Sequence, residues 1–285
     1  MRPFDYYRPE VFEEAFRWLL LPEKKVLPLA GATDLIPMVR DGLWQPDVVV
    51  DIKGLPGMGD LMVTDEGLRV GAAVRMTELV HHPLVNSTPW NLLAQAAAAM
   101  GNEQIRNRAT LGGNLCTASP AADSAPALLT LEAQALIRGP EGERRVPIAS
   151  FFVGPRKTVL QKGELLVGVL IPALPEGTAG TYVKLSRRKA GDLAIVGVAA
   201  LASPRNGGYE WRLALGAVAP TPIRAPEAEA ALNAGHDAAA IERAMHCAFD
   251  ACCPIDDVRA SAAYRRAMVG RITQRAIEGV LERLS

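Results

Sequence analysis

Two stretches of the chain carry residue types that could grip an anion. The first, residues 29–35, reads "LAGATDL". Glycine there lets a ligand come close to the backbone and permits a positive φ. Thr33 or Asp34 could cap a following helix, and successive N–H groups from Gly31 to Asp34 could form a nest facing an anion. The second, residues 105–123, reads "IRNRATLGGNLCTASPAAD" and combines little bulk with much hydrogen-bonding capacity. Thr110 offers a hydroxyl, Gly112 and Gly113 offer bare backbone, and Asn114 offers an amide. Asp123 can accept from a sugar hydroxyl. Each charge-assisted bond to a phosphate contributes about 1.5–3 kcal/mol. One such turn alone is often only a strand–helix corner. Two in one domain could close on a single ligand from both sides, and a pyrophosphate suits that arrangement. Neither has the spacing of a GxGxxG fingerprint or a GxxxxGK[ST] phosphate loop, which argues against a Rossmann fold and an NTPase.

The elements that must position these turns follow from periodicity. Phe12, Ala15, Phe16, Leu19 and Leu20 share a helical face. Residues 26–30 read as a short strand running into the first turn, with a helix from Asp34 that tolerates Pro37 in its first turn. Residues 47–52 and 68–76 read as strands, and a helix begins at Thr77. Residues 90–100 are alanine-rich and helical. A short helix follows near "PALLTL", then a hairpin around Gly139-Pro140-Glu141-Gly142, and a strand over 164–172 ended by Pro172. Residues 173–180 have a linker's composition. Beyond it come strands over 181–187, 192–202 and 209–218. Trp211, Leu213 and Leu215 alternate with Glu210, Arg212 and Ala214, as in a sheet with one wet face. Helices near 225–233, 238–251 and 260–284 follow, the last with Met268, Ile272, Ala276, Ile277 and Leu281 on one stripe. Strands then helices predict a small sheet covered on one face.

The bulk properties exclude several classes. The 285 residues suit two domains and a real core. Lys+Arg and Asp+Glu both count 31, so a basic nucleic-acid face is not expected. The opening "MRPFDYYRPE" has no apolar signal-peptide core, and the longest apolar run, residues 193–202, is too short to span a bilayer. The four cysteines form no CxxC pair, so neither a disulfide framework nor a metal site is expected. Together these features predict a cytoplasmic protein. Cys247, Cys252 and Cys253 read as packing residues, His81 and His82 as helix-end residues, and "SRRKAGD" (186–192) as a solvated turn or a partner- or nucleotide-facing surface.

Four ordered motifs, "LAGATDLIPMV", "QIRNRATLGGNLCTASPAADSAPALLTL", "FFVGPRKTVLQKGELL" and "YVKLSRRKAGDLAIVGVAA", together with "LGAVAPTPIRA", resemble the FAD-binding subunit of the molybdenum hydroxylases. That group includes the flavoproteins of xanthine dehydrogenase and carbon monoxide dehydrogenase. The resemblance spans nearly the whole chain. It implies an α+β fold: residues 1–176 as a two-subdomain FAD-binding domain of the vanillyl-alcohol oxidase type, and residues 177–285 as a smaller domain with a three-stranded antiparallel sheet and helices.

The resemblance also implies site roles. Leu29, Ala30, Gly31, Ala32, Thr33, Asp34 and Leu35 would hold the FAD pyrophosphate from one side. Thr110, Gly112, Gly113 and Asn114 would hold it from the other. Asp123 would bond a ribose or ribityl hydroxyl. Cys116 and Thr117 would lie near the flavin ring, with Cys116 filling space there, a redox thiol being the alternative. Leu165 or Leu166 would pack near the adenine, Lys184 would reach the flavin's polar edge, and Asp192 would pass close to the ring. Met100 also belongs to the implied cofactor-binding set. No residue need act as a catalytic acid or base. The 114–123 segment lacks the cysteine-bearing insertion that holds an iron–sulfur cluster in one branch of the family, so none is expected in this chain. A small partner subunit with two [2Fe-2S] clusters and a large one with molybdopterin would accompany it, two copies of each. Electrons would pass through the clusters to FAD and on to NAD+, quinone or oxygen. The alternatives are a free-standing flavin oxidoreductase of the same fold and a scaffold without redox function.

Overall fold

The computed structural model describes residues 2–87 and 89–285. The chain begins by alternating strand and helix: β1 (Asp5–Tyr7), α1 (Phe12–Leu19), β2 (Val26–Leu29), α2 (Leu35–Arg40) and β3 (Val48–Asp51). The three strands lie parallel in the order β1-β3-β2. Every residue of β3 is buried, as a valine run in the middle of a parallel sheet requires. α1 buries the face formed by Phe12, Ala15, Phe16 and Leu19. Parallel strands share one carboxyl end, and open α/β sheets collect ligands outside it. β2 leaves from that end straight into Gly31.

A second layer follows, with β4 (Leu61–Thr64), β5 (Gly67–Gly71), α3 (Met76–His81), α4 (Pro83–Asn86), α5 (Asn91–Ala99), α6 (Glu103–Arg106), α7 (Leu111–Cys116) and α8 (Ser124–Thr130). It continues with β6 (Gln134–Gly139), β7 (Gly142–Pro147), α9 (Ile148–Phe151), β8 (Phe152–Gly154), β9 (Lys157–Thr158) and β10 (Leu165–Pro172). Five strands form an antiparallel sheet, β4-β5-β10-β6-β7. The hairpin at 139–142 is present as predicted. β5 is shorter than the expected 68–76, because Gly71 turns the chain against Met58: a Cβ at Gly71 would lie 2.3 Å from the Met58 carbonyl oxygen.

The C-terminal part holds β11 (Ala179–Leu185), β12 (Val196–Arg205), β13 (Gly208–Gly216), β14 (Ile223–Arg224), α10 (Pro226–Asn233), α11 (Ala238–Asp250) and α12 (Ala262–Leu284). Its sheet has four antiparallel strands in chain order, one more than the three expected, since β14 is a two-residue strand held to Ala214 and Leu215. The sheet is also covered on both faces, not one. Val196, Val198, Trp211, Leu213 and Leu215 pack under α10 and α12. On the other face Tyr182, Ala199, Leu201 and Ala214 join the core of the preceding layers beside α5 and α8. Ala214 lies on the face read as wet, but it is small enough to let α8 close over it. The linker is shorter than 173–180, because Ala179 and Gly180 already belong to β11. Among the described residues, no helix is long and apolar enough to cross a membrane.

Candidate functional site

The two turns touch. A Cβ at Gly31 would lie 2.3 Å from the Arg108 carbonyl oxygen and 2.8 Å from the Ala109 Cα. This glycine therefore permits the approach of chain to chain, not the approach of a ligand. Ala32 beside it takes a φ of 63°, the left-handed region, which costs a non-glycine residue about 1–2 kcal/mol. The backbone N–H groups of Gly31, Ala32, Thr33 and Asp34 have no hydrogen-bond partner among the described residues. Successive free N–H groups around a left-handed residue are the ingredients of an anion-binding concavity. Neither Thr33 nor Asp34 caps α2 with its side chain. Asp34 instead meets the second turn, where the Thr117 hydroxyl lies 3.0 Å from Asp34 Oδ2 and 2.9 Å from the Gly113 carbonyl oxygen.

The second turn is built differently. Thr110 is buried at the N-cap of α7, where its hydroxyl accepts from the Gly113 N–H at 3.1 Å. The N–H groups of Leu111, Gly112 and Asn114 donate to Val74, Ala72 and Thr110 carbonyls at 3.0, 2.8 and 3.0 Å. The expectation that Gly112 and Gly113 present open backbone donors is therefore not met: all four N–H groups at the start of α7 are engaged by protein. Gly112 packs against β5's exit, with a Cβ there only 2.6 Å from Ala72 Cβ. Gly113 differs, since a Cβ would meet only Thr110 Oγ1, at 3.0 Å, and otherwise enter open space. Asn114 Oδ1 accepts from the Ser124 hydroxyl at 2.6 Å, which leaves its amide NH2 without a protein partner among the described residues.

Behind α7, Asp123 is buried, and each of its oxygens has one protein donor. Its Oδ1 accepts from the Tyr182 hydroxyl at 2.8 Å and its Oδ2 from Lys184 Nζ at 2.9 Å. Lys184 also donates to the Ala99 and Asp192 carbonyls, both at 2.9 Å. An ammonium has three N–H donors, so Lys184 keeps none for a flavin edge in this arrangement. It ties the end of α5, the start of α8 and the 186–192 loop together instead. Burial raises the Asp123 carboxyl above its usual range, against the opposing pull of Lys184 and Tyr182. The Tyr182 hydroxyl is raised well above its ordinary value by burial and by Asp123, which keeps it a donor.

The other predicted residues spread unevenly. Met100 is buried at the C-cap of α5, where its carbonyl accepts from Arg106 Nη1 at 3.0 Å. Leu165 and Leu166 are 2% and 3% exposed within β10, so neither offers a free surface to an adenine. Asp192 contributes its carbonyl to Lys184 and its carboxylate to the Leu193 N–H. Leu29, Ala30 and Leu35 frame the first turn at the carboxyl end of β2 and the start of α2. Cys116 is exposed at the surface, while desolvation by the surrounding protein pushes its thiol up to about 12. Arg187, Arg188 and Lys189 are exposed. Cys252 is buried and donates to the Ala248 carbonyl, in keeping with a packing role, while Cys253 is exposed. Sequence reasoning missed Tyr182, Gln95 and Gly197, although an isolated glycine within the Val/Ala run of β12 was a usable signal.

One further cavity, of about 460 Å³, is lined by Arg2, Pro3, Phe4, Asp5, Glu23, Lys24 and Asp47. These residues precede β2 and β3 and precede or begin β1, so the cavity lies at the amino ends of the parallel strands, away from Gly31.

Known proteins resemble this chain over nearly its whole length. The family described as the FAD binding domain in molybdopterin dehydrogenase matches residues 2–174, and the CO dehydrogenase flavoprotein C-terminal domain matches residues 181–280. The carbon monoxide dehydrogenase medium chain of Hydrogenophaga pseudoflava is 32% identical, covering 98% of each chain. A putative xanthine dehydrogenase FAD-binding subunit of Escherichia coli is 34% identical over 95% of this chain and 94% of its own. Among solved structures, the Hydrogenophaga pseudoflava carbon monoxide dehydrogenase superposes with a TM-score of 0.94 at 33% identity, covering 99% of each chain. Quinoline 2-oxidoreductase from Pseudomonas putida superposes with a TM-score of 0.89 at 30% identity, covering 99% of this chain and 98% of that one.

Proposed function

The chain belongs to the family of FAD-binding subunits of the molybdenum hydroxylases, and from that premise we propose that it is the flavin-bearing, electron-relaying member of a heterotrimeric hydroxylase in the cytoplasm. FAD, when bound, supplies a centre that takes or gives electrons singly or in pairs, which suits a relay between a partner's [2Fe-2S] clusters and an acceptor such as NAD+. Oxidation of the substrate would belong to a large molybdopterin subunit, with two copies of each chain in the assembly. The division at residues 1–176 and 177–285 is part of this reading. It is supported by the change from the five-stranded to the four-stranded sheet across that boundary.

The observation that carries the reading is the open row of N–H groups from Gly31 to Asp34, set against the open sides of Gly113 and Asn114. These donors fit a pyrophosphate, which is rich in acceptors and has no donors of its own. The first turn would bind through its backbone, and Asn114 would add one side-chain donor from the far side. Gly113 would admit the phosphates by lacking a side chain, and Thr110 would shape that helix start without touching them. Asp123 would accept from a ribityl or ribose hydroxyl through lone pairs left over from Tyr182 and Lys184. Lys184 would hold Asp123 charged and pin the 186–192 loop, with Asp192, over the cofactor site. Cys116 and Thr117 would form its floor, with Cys116 a neutral thiol. Met100 would border it from α5.

Purification from the native host, with a visible spectrum and identification of the co-purifying chains, tests this. Flavin bands with a broad iron–sulfur shoulder and two partner chains are expected. Flavin bands from this chain alone would favour a free-standing flavoprotein. A colourless chain that refuses added FAD would favour a scaffold.

A further inference from the structure

Asp123 is gripped at both oxygens, and the second grip comes from an unexpected place. Tyr182 sits on the edge strand β11 with its ring in the shared core, 9% exposed. Its backbone N–H donates to Gln95 Oε1 at 3.2 Å, and Gln95 Nε2 donates to the Gly180 carbonyl at 3.1 Å. The side-chain amide of α5 thus pairs with the free edge of β11 as a neighbouring strand would, and fixes the backbone that carries Tyr182. The phenol then runs across to Asp123 Oδ1.

Gly197, opposite Lys184 in the β11–β12 ladder, completes the arrangement. A Cβ at Gly197 would lie 2.6 Å from the Tyr182 hydroxyl oxygen, but 3.4 and 3.5 Å from the ring atoms Cζ and Cε2. The hydroxyl alone forbids a side chain there, since the ring would accept one at ordinary contact distance. Gly197 does not adopt a left-handed φ, and its neighbours Val196 and Val198 are fully buried. A glycine inside such a strand forgoes packing and often marks a close approach. Here the approaching atom is the Tyr182 oxygen.

We propose that Tyr182 is a positioning residue of the cofactor site, that its hydroxyl fixes the direction of the Asp123 carboxylate, and that Gly197 is the residue that leaves room for that hydroxyl. With Lys184 alone the carboxylate could swing about Oδ2. The phenol stops that rotation. Ser124, the next residue, holds Asn114, so the start of α8 orients a carboxylate and an amide together. The proposal rests on the flavin-binding reading.

The test is an FAD titration of the full chain, followed by flavin fluorescence and by visible circular dichroism of the bound flavin. The variants are Tyr182→Phe, Gly197→Ala and the pair combined. Each single change is expected to weaken FAD binding about tenfold and to alter the flavin dichroism. The combination should be no weaker than Tyr182→Phe, because without the hydroxyl the new methyl meets only the ring. Wild-type affinity and dichroism in Tyr182→Phe would overturn the proposal while leaving the flavin reading intact, as would two single effects that add. A lowered melting temperature with unchanged FAD binding would show a merely structural role, which also overturns it. A wild-type chain that takes up no FAD would overturn the flavin reading, and the proposal with it.

Discussion

Residues 29–35 and 110–117 look alike in sequence: each brings glycine and a small polar residue to the start of a short helix. The structure treats their donors in opposite ways. The second turn engages every N–H at the head of α7, through Val74, Ala72 and its own Thr110 cap. The first leaves four consecutive N–H groups without a partner among the described residues and holds Ala32 in a left-handed conformation that a satisfied corner has no need of. Strain of that kind gathers at binding sites. A glycine next to a cap therefore does not identify a ligand-binding backbone. Consecutive unpartnered donors are the sharper mark, and of the two turns, among the described residues, they lie on the first.

The sharpest way to break this contrast is with the glycines themselves. Gly31→Val and Gly112→Val drive a side chain into Arg108 and Ala72, and overpacking against backbone costs about 3 kcal/mol or more. Both should fail to fold or melt far below wild type by circular dichroism. Gly113→Val should fold with a modest loss of melting temperature, because its Cβ presses on the Thr110 cap, yet retain no FAD. A folded, fully yellow Gly113→Val would remove that residue from the phosphate path.

Lys184→Met comes next. It leaves a buried carboxylate without its cation, a loss of about 3–5 kcal/mol at neutral pH in chemical denaturation. The folded-state pKa of Asp123 is raised, so the folded chain takes up a proton more readily than the unfolded one. Stability linked to Asp123 is thus greatest in acid and falls as pH rises through that value. The deficit of Lys184→Met should therefore shrink in mild acid. A deficit independent of pH would mean that Asp123 is not what the ammonium serves.

Smaller effects sharpen the junction of the turns. Thr117→Val removes the hydroxyl between Asp34 and Gly113, and should lower stability by about 0.5–1 kcal/mol with a few-fold weaker FAD binding. Smallest is the behaviour of Cys116. Its thiol, raised to about 12, should alkylate far more slowly than Cys253 in mildly alkaline buffer by mass spectrometry. Equal rates would contradict a Cys116 thiol raised by desolvation.

Strong periodicity made much of the fold legible. The 26–40 strand–turn–helix, the 134–147 hairpin and helices α10 to α12 carry patterns that local forces alone can set. Edge strand β4 escaped, because Met62 and Val63 face solvent in succession and break the alternation. Helices of four to six residues, such as α4, α6 and α7, are below the length at which propensity speaks; tertiary contacts make them. The covered second face of the C-terminal sheet was hidden because alanines read as neutral, although Ala199 and Ala214 are small so that α8 can close over them. At the site, residue types singled out two turns that the structure brings into contact, but not which donors were free. That depends on Val74 and Ala72, some forty residues earlier, whose carbonyls take the Leu111 and Gly112 N–H groups.

The most direct measurement is amide hydrogen exchange across both turns, with and without FAD. Strong new protection on FAD addition at Gly31 to Asp34 is expected, with little change at Leu111 to Asn114, whose N–H groups are already bonded. Protection that appears at Leu111 to Asn114 while Gly31 to Asp34 stays unchanged would contradict the assignment of the phosphates to the first turn.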